Sequence, residues 1–142
     1  MQENPFKNDQ KNYCTFYIVR HGETQWNVDR KIQGHRNSPL TEEGLKQIKE
    51  IAKELRKIKF HTVFSSDLLR AKRTAEVVAL EHNLAVHTTK LLRERRYGKY
   101  EGKPSEVLTE FHKLFDRLTT AERMAYKISQ DVESDNEMIA RF

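Results

Sequence analysis

Three short segments put residues capable of phosphoryl chemistry at the ends of apolar runs. The first is Arg20-His21-Gly22, in the context Tyr17-Ile18-Val19-Arg20-His21-Gly22-Glu23-Thr24. An imidazole there can attack phosphorus while the adjacent guanidinium holds the phosphoryl oxygens. A bare Arg-His-Gly is a weak signal, but the longer string Arg-His-Gly-Glu-Thr-Gln-Trp-Asn is far more specific. The second segment is Ser65-Ser66-Asp67-Leu68-Leu69-Arg70-Ala71. Its Arg70 falls in the first turn of an expected helix, where anions are attracted. It stands between Leu69 and Ala71, where a fully exposed charge is less expected than at Lys72 or Arg73. The third is Leu92-Arg93-Glu94-Arg95-Arg96-Tyr97-Gly98. A carboxyl group at Glu94 can protonate a leaving alkoxide. From local composition alone, an acid that merely neutralises a basic stretch is the stronger reading of Glu94. Taken together, the segments describe phosphoryl transfer through a phosphohistidine.

The elements that must position these residues read as an α/β fold. Residues 14–20 are β-branched and aromatic, the pattern of a strand buried on both faces, which sets His21 at a strand's C-terminal end. Thr41 can cap a helix with Glu42 and Glu43 in its first turn. Leu45, Ile48, Ile51, Ala52, Leu55 and Ile58 then recur on one face. A second strand is expected over 60–65. Ser66 or Asp67 then caps a helix to about Asn83, with Leu68, Ala71, Ala75, Val78 and Ala79 facing inward. A short strand follows over 84–88. This alternation implies a parallel sheet in a three-layer αβα arrangement. Ser105 is expected to cap a further helix through Leu118. Ser134 and Glu137 form a capping box for a last one. Residues 1–12 read as a mobile tail, and residues 13–142 as one domain.

Bulk composition narrows the classes. The chain has 142 residues, 37% hydrophobic and 33% charged, with a net charge of +5. The positive balance suits anionic partners. Nucleic acid is disfavoured, because the Lys and Arg residues interleave with Glu along the helices and no nucleic-acid-binding motif is present. The single cysteine, Cys14, excludes an intrachain disulfide and reads as a small buried hydrophobe. No apolar stretch is long enough to span a membrane, and the polar N-terminus lacks a signal core, so a cytoplasmic location is the default expectation. The other five histidines have no mutual metal-ligand spacing.

With these segments in order, the chain resembles the histidine phosphatase superfamily, also called phosphoglycerate mutase-like, from about Cys14 to Gly102. The match rests on Arg20 through Asn27, Gln33-Gly34, Ser38-Pro39-Leu40-Thr41 with Gly44, Ser65 through Ala71 with Thr74-Ala75, and Leu92-Arg93-Glu94 with Gly98 and Glu101-Gly102. The resemblance implies that His21 is the nucleophile, that Arg20 and Arg70 clamp the phosphoryl group, and that Glu94 is proton donor and then base. It reverses the local reading of Glu94. It further implies substrate contacts from Gly22, Glu23, Thr24, Asn27, Gln33, Gly34, Arg95, Arg96 and Tyr97. Gly22 is expected to let the backbone approach the phosphate. No metal is implied, because the arginines supply the positive charge. No cofactor is implied either, unless the chain is a mutase primed by a bisphosphoglycerate.

Hydrolysis of a small phosphorylated metabolite is the favoured activity, since no arginine pair for a phosphoglycerate carboxylate follows Arg96. The mutase remains the alternative. The family's second histidine, in a Ser-His-Gly type motif after the last helix, has no counterpart here. The chain therefore reads as a fragment, as a short form completed by dimerisation, or as a catalytically weak module that only binds phosphorylated ligands. A homodimer is left open.

Overall fold

The computed structural model describes residues 13–142. The expected tail at 1–12 lies outside them. The apolar stretch at 14–20 is extended but forms no strand with any described residue. Its side chains face solvent, with Ile18 96% and Phe16 82% exposed, and Cys14 is exposed as well. The doubly buried strand expected here, and the buried cysteine, are thus corrected. Apolar alternation marks a segment fit for burial, but a strand also requires a hydrogen-bonded neighbour. Tyr17 still touches the body of the protein, stacking edge-on against Phe60 at 5.3 Å.

From His21 onward, local chemistry fixes each element. Thr24 caps the one-turn helix α1 (Gln25–Val28) in a reciprocal box with Asn27. Thr41 caps α2 (Glu42–Leu55), its hydroxyl accepting the Gly44 amide, and Glu42 and Glu43 lie in the first turn as expected. The inner face of α2 is Gly44, Ile48 and Ala52, while Leu45 is exposed. β1 (Val63–Ser66) starts three residues later than expected and is followed by α3 (Leu69–Leu80). Neither Ser66 nor Asp67 is the cap of α3. That position is Leu68, whose amide is instead accepted by the Ser66 hydroxyl. β2 (Val86–Thr89) pairs with β1 in parallel, Val63 opposite Val86 and Ser66 opposite Thr89.

The β1–α3–β2 unit is the frame of the fold: α3 packs on both strands and on α2. The described chain is therefore mixed α/β with a small parallel sheet. The core is formed by Ile48, Ala52, Leu68, Val78 and Ala79, with Ile32, Leu108 and Val132 buried elsewhere. Beyond the sheet, residues 105–108 form a 3₁₀ turn in place of the expected helix start, so Ser105 caps nothing. α4 (Thr109–Phe115) and α5 (Thr120–Ala125) follow, and α6 (Asp135–Ala140) begins at the expected Ser134–Glu137 box. Among the described residues, no helix is long and apolar enough to cross a membrane.

Candidate active site

The loop carrying His21 is held from two sides. A Cβ on Gly22 would lie 2.6 Å from the Gly44 carbonyl, and one on Gly44 would lie 2.1 Å from the Glu23 carbonyl. Two glycines therefore let the loop lie directly on α2. Gly22 is buried against the helix. Its amide donates to the Thr74 hydroxyl at 3.1 Å, and that hydroxyl donates to the Arg70 carbonyl at 2.8 Å. The His21 loop and the first turn of α3 are thus one unit.

The imidazole geometry assigns its tautomer. Nδ1 of His21 lies 2.8 Å from the Gly22 carbonyl, which can only accept, so Nδ1 carries the proton and Nε2 keeps its lone pair. Burial pushes the His21 pKa below its ordinary value, and the nearby Arg70 and Arg20 charges push the same way. The Gly22 bond and Glu94 oppose them without prevailing. A neutral, oriented imidazole results.

Around it lies an open cleft of about 220 Å³ lined by Arg20, His21, Asn27, Lys31, Gln33, Gly34, Arg70, Glu94 and Tyr97, with Ile32 and Leu108. Three cations face one carboxylate, so the cleft favours anions. Arg70 is buried, and burial pushes its pKa down while Glu94 and Glu101 favour its charge. Its terminal nitrogens donate to the Arg36 and Gly34 carbonyls at 2.9 and 2.8 Å, which fixes the guanidinium plane. Among the described residues, its buried Nε–H and the buried Oε1 of Gln33 find no hydrogen-bond partner. Buried polar groups of this kind can bond a polar ligand. The Glu94 carbonyl accepts from His35 Nε2 at 2.7 Å and from Arg141 at 3.1 Å, pinning the segment that bears the carboxyl group.

The structure thus gathers Arg20, His21, Asn27, Gln33, Gly34, Arg70, Glu94 and Tyr97 in one cleft. It does not bring Gly22, Glu23, Thr24, Arg95 or Arg96 to its lining. Glu23 is turned to α2, accepting the Thr41 hydroxyl at 2.7 Å, and Thr24 is fully buried as a cap. Arg95 is paired with Asp135, and Arg96 is exposed. Sequence reasoning missed Lys31, Ile32 and Leu108 in the lining, because nothing local separates them from ordinary surface or core. It also missed the work of Glu101. This buried carboxylate accepts the amides of His35 and Tyr97, each at 3.0 Å, tying the segment after Gly34 to the segment after Glu94. Asp67 and Arg93 form a two-pronged pair, and the Arg93 bond holds the Asp67 carboxyl below the usual carboxylate range. Among the described residues, no three His, Cys, Asp or Glu side chains group as metal ligands.

This frame and cleft define a class. The family model of the histidine phosphatase superfamily (branch 1) matches residues 16–142, and the chain belongs to that superfamily. It is 40% identical over 121 residues to phosphoglycerate mutase-like protein 4 of Arabidopsis thaliana, covering 81% of this chain and 53% of that one. Among solved structures, the alpha-ribazole phosphatase from Shigella flexneri superposes with a TM-score of 0.70 at 30% identity, over 87% of this chain and 60% of that one. A mycobacterial glucosyl-3-phosphoglycerate phosphatase in complex with VO3 gives a TM-score of 0.73 at 27% identity, over 85% and 57%. The chain spans about half the length of the sequence relative it matches.

Proposed function

We propose that the cleft performs phosphoryl transfer through His21, with hydrolysis of a phosphomonoester as the outcome. The observation that carries this reading is the His21 imidazole, neutral and bonded through Nδ1 to the Gly22 carbonyl, facing a cleft with Arg20, Arg70 and Glu94. In the first step the Nε2 lone pair attacks phosphorus as the bond to the leaving oxygen breaks. The electron pair leaves with that oxygen, which takes a proton from the Glu94 carboxyl group. Arg20 and the free Nε–H of Arg70 hold the non-bridging oxygens as charge develops on them. In the second step water attacks the phosphohistidine, Glu94 takes its proton, and the phosphorus–nitrogen pair returns to Nε2.

A second reading has its own support. The segment 14–20, which leads into His21, is unpaired among the described residues. A nucleophile on such a segment favours a site that binds phosphorylated ligands and turns them over slowly. The mutase reading draws on the names of several relatives and of one solved structure. Intact mass after incubation with an activated phosphate ester at neutral pH tests the proposal. An acid-labile phosphoryl adduct on the chain, absent in His21→Ala, is expected. A folded wild-type sample with no adduct would overturn it.

A further inference from the structure

A second cavity adjoins the cleft. It is a partly open space of about 190 Å³, the size of a cavity that takes a single benzene-like ring. Tyr97 lines both spaces. Its phenol is half-buried, and burial pushes its pKa up; the charges it feels are Arg95, Glu94 and Asp135. The tyrosine therefore stands between the carboxyl group of the first cleft and the ion pair of the second. Its backbone is fixed there by the bond to Glu101.

The far wall of the second cavity is aromatic. Phe111 lies 5.3 Å from Phe115 and 5.6 Å from Tyr126, centre to centre, in tilted contact. Phe115, Tyr126 and Ile128 extend the apolar lining. His112 also lines this space, and the ionic groups at its rim are already engaged. Arg95 is held by Asp135 and by the Glu133 carbonyl, and Glu133 is bonded by Arg141 at 3.1 Å. The two rim carboxylates outnumber the one rim arginine, so the cavity offers no surplus positive charge to an anion. That contrasts with the cation-rich cleft on the other side of Tyr97.

From this contrast we infer that the second cavity receives the leaving group of the phosphomonoester, and that the group is uncharged and ring-bearing. The inference rests on the reading of the His21 cleft as the phosphoryl site. The phosphoryl group occupies the basic cleft, the ester chain passes the Tyr97 ring, and a ring stacks among Phe111, Phe115 and Tyr126. Offset and tilted aromatic contacts add to simple apolar burial. A short leaving group bearing a carboxylate gains nothing there and meets Glu133 and Asp135.

Three esters whose alkoxides are matched in chain length separate the effects: 3-phenylpropyl phosphate, propyl phosphate and 3-phosphonooxypropanoate. The readout is the rate of His21 labelling by intact mass. The phenylpropyl ester is expected to label about tenfold faster than the propyl ester, and the carboxylate ester slowest. The phenylpropyl-to-propyl ratio should fall toward one in Phe111→Ala, and also in the gentler Phe111→Leu, should the alanine variant fail to fold. Equal rates in the wild type, or a ratio that survives in both folded variants, would overturn the inference.

A binding arm does not depend on turnover. Saturation-transfer NMR with 3-phenylpropan-1-ol should give a ring signal that weakens in the same variants. No signal from the wild type would overturn the cavity assignment. Ring binding without any labelling would spare the cavity while sinking the phosphohistidine reading.

Discussion

Glu101 offers the sharpest test of how the candidate site is held. Its side chain is 8% exposed, and one oxygen accepts two amides, from His35 and Tyr97, each at 3.0 Å. Tyr97 lines the cleft, and Gly34, one residue before His35, lines it too and carries the carbonyl that receives Arg70. Replacing Glu101 with Ala removes the acceptor from both amides. A buried donor left unpaired costs about 1–3 kcal/mol. Both amides are only partly buried, so water recovers some of that, and a total loss of about 2–4 kcal/mol is expected. Glu101→Gln keeps a carbonyl oxygen in place and gives up only the charge-assisted part of each bond, about 1 kcal/mol in all.

Urea unfolding followed by circular dichroism reads the difference, provided the slope is unchanged between variants. The local geometry adds a cycle. A Cβ on Gly34 would lie 2.3 Å from the Glu101 oxygen, and Gly34 has φ +51. Gly34→Ala should therefore cost less in the Glu101→Ala background than alone, because the clash is gone. The left-handed backbone penalty, about 1–2 kcal/mol, persists in both backgrounds. Equal stability of the Ala and Gln variants, or strict additivity with Gly34→Ala, would refute the account.

Two further outcomes follow from the loop geometry and the imidazole. Gly44→Ala drives a methyl group to 2.1 Å from the Glu23 carbonyl. It should destabilise the protein by about 1–3 kcal/mol by urea titration, although alanine is the better helix former, and slow His21 labelling as well. A stabilised Gly44→Ala variant would contradict the packing described. The pH dependence has a fixed sign: burial lowers the folded-state pKa of His21. The nucleophile thus stays neutral below its ordinary value of about 6.5, and the acid limb of the labelling rate should fall below that pH. The unfolded chain binds the proton first, so this group's contribution to stability declines as pH drops from about 6.5 toward the folded-state pKa. An acid limb above pH 6.5 would count against the buried, uncharged imidazole.

What could be read from the sequence divides along physical lines. Caps are local, and Thr41 and the Ser134–Glu137 box could be read because a side chain and an amide three residues apart settle them. Helical periodicity similarly exposed Ile48 and Ala52 as core. The stretch 14–20 failed because pairing is non-local: its residues carry the composition of an inner strand but no neighbour along the chain. Ser105 failed for a different reason. Pro104 and a tight 3₁₀ turn delay the helix to Thr109. Among site residues, those carried by short motifs at element ends were legible. Those that only meet in space, such as Lys31, Leu108 and Glu101, were not. Arg95 and Arg96 show the opposite error, in which motif adjacency to Glu94 suggested a shared target. One of them instead pairs with Asp135, forty residues away.

That misplacement bears on how the site is built. The side chains of a single short stretch can serve two spaces. Glu94 lines the basic cleft, Arg95 lines the aromatic cavity, and Tyr97 borders both. The chain from 94 to 97 is therefore a partition with chemistry on each face. Backbone groups pin it at several points: the Glu94 carbonyl to His35 and Arg141, the Arg96 carbonyl to the Glu133 amide, and the Tyr97 amide to Glu101. The Arg95 side chain adds its bonds to Asp135 and the Glu133 carbonyl. Substitutions at Glu101 or His35 should thus disturb labelling by small and bulky esters alike. Substitutions at Phe111 should disturb only the choice between them.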